Sequence, residues 1–79
     1  MGNYDPLGDH LARQPQSPVV LSFERVEGII DAGLPCSAYR HRPFWANNSS
    51  GHVHAAAWLG AGWKVQGVDL TRKIITFTR

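Results

Sequence analysis

Arg40, His41 and Arg42 run consecutively after Tyr39, with Trp45 and Asn47 close behind. Guanidinium groups grip phosphate bidentately, backbone N–H groups at a helix start suit anions, and an exposed aromatic ring can stack on a base or sugar. Asn47 or His52 could read a base edge. Arg72 and Lys73 form a second basic pair at the turn of a hairpin, where they would reach another run of phosphates. Such contacts give mainly sequence-independent, salt-sensitive affinity for nucleic acid. The candidate nucleic-acid-binding residues are therefore Arg40, Arg42, Trp45, Asn47, Arg72 and Lys73. A blander reading makes the tryptophans core and the arginines solvated surface. Trp58 and Trp63 are assigned to the core on that ground, because large aromatics are costly to expose in so short a chain. Trp45 and Asn47 are expected to edge the surface.

Other chemistries find less support. Cys36, His41, His52 and His54 are all zinc-ligand types, but structural zinc sites supply tight pairs about three or four residues apart. His52 and His54 would point roughly 200° apart on a helix. Cys36 with His41 resembles a thiol and its base, yet no orienting third group or oxyanion feature accompanies them. Glu24 and Glu27 read as residues of a plain helix, and Gly60-Ala61-Gly62 follows a helix rather than preceding one. The expectation is no metal, no cofactor and no enzymatic activity.

The charge is unevenly placed. The chain has 79 residues and a formal charge of +2. Residues 1–33 carry −3, and residues 34–79 carry +5 with Asp69 as their one acid. A split of this kind can hold an acidic scaffold apart from a basic working surface. The single Cys36 cannot close an internal disulfide, which fits a reducing cytosol. The N-terminus lacks a basic segment followed by an apolar one, so no signal peptide is read there. Pro6 stands where a myristoylation signal at Gly2 would need Ser or Thr. No run approaches the roughly 18 apolar residues of a membrane span. The sequons at Asn47 and Asn48 are read as composition, and the protein is expected to be cytoplasmic.

These residues need positioning. Asp5-Pro6 opens a first short helix, with Leu7 and Leu11 on one stripe. Prolines 15 and 18 mark a loop, and Val19-Val20-Leu21 reads as a short strand. Ser22 caps a second helix with Phe23, Val26, Ile29 and Ile30 at helical spacing, which Gly33 and Pro35 end. Ser37 is expected to cap a short helix over residues 38–41 that Pro43 stops. The stretch 47–51 is loop by composition. A further helix runs from about His52 to Ala61, with Gly62 as its C-cap. Residues 63–66 and 73–78 read as hairpin strands, and a parity shift near Gly67 predicts a bulge.

The whole-chain pattern resembles a small uncharacterised bacterial and phage domain family. The resemblance rests on Tyr4-x-x-Leu7, Leu21-Ser22-Phe23, Leu34-Pro35-x-Ser37-Ala38 and Phe44-Trp45-x-Asn47. It continues through Ala57-Trp58-Leu59-x-x-Gly62-Trp63-x-Val65, Val68-Asp69-Leu70 and Ile75-Thr76-Phe77-x-Arg79. Phe44 departs mildly, since such sequences often have Trp there. The resemblance implies one domain over residues 1–79 and no particular activity.

The order of elements leads to an α+β fold similar to a small winged helix-turn-helix domain, its helices followed by a C-terminal β-hairpin. The strand at residues 19–21 would close a three-stranded sheet with that hairpin. The expected function is non-enzymatic nucleic-acid binding, DNA before RNA. The alternative is a protein-interaction module of a phage or mobile element that docks on a host complex.

Overall fold

The computed structural model describes residues 4–48 and 53–79. In chain order they form α1 (Asp5–Ala12), β1 (Val19–Ser22), α2 (Phe23–Ile30), α3 (Cys36–Arg40), a 3₁₀ turn (Arg42–Trp45), α4 (Val53–Gly60), β2 (Lys64–Asp69) and β3 (Ile74–Thr78). The result is a small α+β protein. Gly2, the part of the expected loop after Asn48, and His52 lie outside the described residues.

The three strands make one antiparallel sheet in the order β1-β3-β2, so the short first strand does join the hairpin. Alternation fixes which face is buried. Leu21 lies opposite Ile75, and Val19 opposite Phe77. Leu21, Ile75 and Phe77 are buried, while Val20, one residue out of phase, is 57% exposed. The register of β2 slips between Val65 and Gly67, which is the expected bulge. The extra residue resets the parity of the strand. Val65 and Val68, three positions apart, therefore both sit opposite core residues, Phe77 and Ile75.

Helix ends follow local chemistry. Ser22 Oγ accepts the Arg25 N–H at 2.9 Å, the expected N-cap of α2. The expected stop at Gly33 is not used. The helix ends at Ile30 because Asp31 takes the left-handed conformation (φ 57°), which Asp tolerates, and the Ala32 N–H returns to the Glu27 carbonyl at 3.2 Å. α3 likewise starts before Ser37. Pro35 holds the extended backbone of the N-cap, so the helix begins at Cys36 and the Ser37 hydroxyl caps nothing. The helix ends at Arg40, and Pro43 sits in the first turn of the following 3₁₀ segment. α4 closes as expected at Gly62 (φ 84°), whose N–H reaches the Leu59 carbonyl at 3.0 Å while Trp63 N–H reaches that of Trp58 at 2.9 Å. This paired closure needs the left-handed residue that glycine supplies.

α1 packs on α2 and α4. At Gly8 the approach to α4 is so close that a Cβ would lie 2.6 Å from the Ala57 carbonyl oxygen. The core below the helices holds Leu7, Leu11, Phe23, Val26, Trp58 and Trp63. Burying each large apolar side chain contributes about 1.5–3 kcal/mol before entropy is counted. No helix among the described residues is long and apolar enough to cross a membrane.

Candidate nucleic-acid interface

Trp45 is not at the surface edge, as the sequence suggests; it is 2% exposed. The 3₁₀ turn directs both Phe44 and Trp45 inward. The indole stacks between Phe23 (centroids 5.1 Å apart) and Trp58 (5.9 Å). Its Nε1–H donates to the Ala38 carbonyl at 2.9 Å, so its polar end is satisfied inside the protein. A ring held this way offers no face to a base.

Asn47 is exposed but committed. Its Nδ2 donates to the Val65 carbonyl at 2.9 Å, and its Oδ1 accepts the Val65 N–H at 2.7 Å and the Trp58 Nε1–H at 3.1 Å. An edge strand presents backbone groups that need partners, and a carboxamide carries the same donor and acceptor as a peptide group. Asn47 thus serves the outer edge of β2 and the core indole together, which removes it as a reader of base edges.

The cations remain outside. Arg42 Nη1 donates to the Val68 carbonyl at 2.6 Å, which leaves the other guanidinium N–H groups for a ligand. Lys73, in the left-handed region (φ 60°), holds its Nζ 5.8 Å from the centre of the Tyr39 ring, beside Arg40 in the chain. Arg72 lies 4.0 Å from Asp69 in a well-exposed pair, worth little in water. Arg40 is exposed. The contacts Arg42–Val68 and Lys73–Tyr39 place one member of each basic pair against the end of the hairpin.

Glu27 makes structural contacts that sequence reasoning misses. Its Oε2 accepts the Leu34 N–H and the Tyr39 hydroxyl, each at 2.8 Å. Those two bonds hold its carboxyl below the usual carboxylate range, and the Tyr39 hydroxyl is pushed up in turn. Glu27 ties the α2–α3 connection together and fixes the ring over which Lys73 lies. No helical spacing announces this, because both partners lie beyond the helix end. Glu24 and Glu27 also line the cleft holding Arg72 and Lys73, so that cleft is mixed in charge.

Beside Arg42, between the 3₁₀ turn and β2, runs an open groove of about 650 Å³. Pro43, Trp45, Ala46, Val65 and Val68 give it a largely apolar lining.

Of the residues weighed as metal ligands, Cys36, His41 and His54 lie among the described residues. His54 is buried; its Nε2 donates to the Phe44 carbonyl at 2.6 Å and its ring stacks on Phe44 at 3.9 Å. Cys36 is a free, exposed thiol. Among the described residues no three His, Cys, Asp or Glu side chains are grouped to hold a metal ion.

No curated protein and no solved structure matches the chain. Residues 4–79 do match one family, and with nearly the whole chain covered the protein belongs to the family described as Domain of unknown function (DUF7662).

Proposed function

We propose that this domain binds nucleic acid, DNA in the first place, by gripping phosphates without chemistry. The observation that supports the reading is that Arg42 reaches the Val68 carbonyl and Lys73 the Tyr39 ring, so that one member of each basic pair lies against the end of the hairpin. The element order and the β1-β3-β2 sheet fit a winged-helix plan in which this turn is the wing. In such a plan α4, just before the hairpin, would hold the recognition position. Over residues 54–60 its exposed positions are Ala56 and Gly60, which have no side chain to reach a base edge. With Trp45 and Asn47 also committed to the fold, binding is expected to be independent of sequence.

Four phosphate contacts would give a salt slope of about −3 to −4, or roughly a 100-fold loss of affinity between about 50 and 200 mM salt. A gel shift with duplex DNA that falls this steeply, and vanishes in Arg40→Glu/Arg42→Glu, supports the reading. No shift at low salt would overturn it. A defined host protein recovered by pull-down would then make the domain a docking module instead.

A further inference from the structure

We infer that the groove between the 3₁₀ turn and β2 receives an unpaired base, so that single-stranded nucleic acid is the preferred ligand; this rests on the phosphate-gripping reading above. Arg42 is the one charged residue lining the groove, and no carboxylate lines it. Its guanidinium is pinned by the Val68 carbonyl and keeps further N–H groups for an anion. The groove therefore offers an apolar surface directly beside a fixed cation. A nucleotide carries the matching pair, an apolar ring face and a phosphate one sugar away. About 650 Å³ is ample for a base with its sugar.

A duplex makes no use of such a concavity, because its ring faces are stacked on one another and only edges and phosphates are presented. An unpaired strand offers the ring faces themselves. An extended acidic peptide would also match the charge, but peptides dock at a sheet edge by adding a strand. That route is obstructed here: Asn47 holds both the N–H and the carbonyl of Val65, and Arg42 holds the carbonyl of Val68. A base needs no ladder of backbone bonds, and so it fits the blocked edge better than a peptide does.

The test is fluorescence anisotropy at low salt with a fluorescein-labelled oligothymidylate of about 12 nucleotides and a labelled duplex of equal length. Wild-type protein is compared with Ala46→Phe and Val68→Phe, which fill the groove and keep all four cations. Ala46 is exposed, so that variant is the safer for folding, and duplex binding reports whether each variant is folded. The single strand is expected to bind wild type at least about 5-fold tighter than the duplex, through partial burial of a base face on Pro43, Ala46, Val65 and Val68. Both variants should lose that preference and keep duplex binding. Undiminished single-strand affinity in Ala46→Phe, or tighter duplex binding by wild type, overturns the base groove and leaves the phosphate reading standing. Wild-type protein that binds neither probe overturns both. A labelled peptide of alternating Glu and Leu that binds wild type but not Ala46→Phe, with oligonucleotide binding unchanged, makes the groove a peptide site and overturns the inference.

Discussion

The protein joins its helical parts to their neighbours in two different ways. At the α1–α4 seam backbone meets backbone: Gly8 has no room for a Cβ against the Ala57 carbonyl. Small residues and the carboxylates Asp5 and Asp9 surround that contact. At the seam between the 3₁₀ turn and β2, two polar side chains, Asn47 and Arg42, span the gap and leave a groove between them. Close packing of the first kind gives stability and leaves beside it only a cleft with two carboxylates and no cation. Bridging of the second kind costs packing but leaves a ligand both room and a cation. The closed seam joins α1 from the acidic half of the sequence to α4 from the basic half, and the open one is built within the basic half alone.

The largest effect should come from closing what is already closed. Gly8→Val would force α1 off α4 and cost about 3 kcal/mol, a Tm lower by roughly 15 °C, despite the gain in helix propensity. Gly28→Ala in α2, where an added Cβ meets nothing within 4 Å, should instead raise stability by about 0.5–1 kcal/mol. Equal melting temperatures for the two would erase the contrast between the seams. Next comes Asn47→Ala, which strands the Trp58 indole N–H and frees the edge of β2. A loss of about 2 kcal/mol in urea unfolding is expected, and a neutral result would mean that water replaces the amide at no cost.

Arg42→Gln should move stability by less than about 0.5 kcal/mol, since one exposed bond is lost. Its signature lies in binding: the salt slope should become shallower by about one unit. An unchanged slope would remove Arg42 from the phosphate contacts. The smallest effect concerns pH. The Glu27 carboxyl titrates lower in the folded protein than in the unfolded chain, so its contribution is present above the unfolded value of about 4.3. It is lost as pH falls through the folded value. Melting curves of Glu27→Gln between about pH 2 and 6 should therefore show a flatter acid limb than wild type. Parallel limbs would remove Glu27 from the linkage.

Local chemistry made much of this legible before the structure. The Ser22 cap, the Gly62 closure and the bulge near Gly67 each rest on a single residue type in a demanding position. The three-stranded sheet followed from alternation. Failures came where two local signals competed or where a contact crossed the chain. Asp31 takes the left-handed position ahead of Gly33, and Pro35 starts α3 ahead of Ser37. Trp45 and Asn47 have side chains suited to a ligand, and the protein uses them for itself. Their partners are Phe23, Trp58 and Val65, and no periodicity links positions so far apart. The arginines were readable as surface, but the seating of Arg42 on β2 depends on its contact with Val68, 26 residues away.

The occupied edge of β2 has a consequence for assembly. A sheet with two open edges can propagate copy after copy into a fibre, since every addition exposes a new template. Here Asn47 and Arg42 stand where the next strand would bond, so β1 is the one edge left unpaired in the described sheet. Two copies meeting at that edge would bury it on both sides and leave only blocked edges outward. Growth through strand pairing would stop at the dimer.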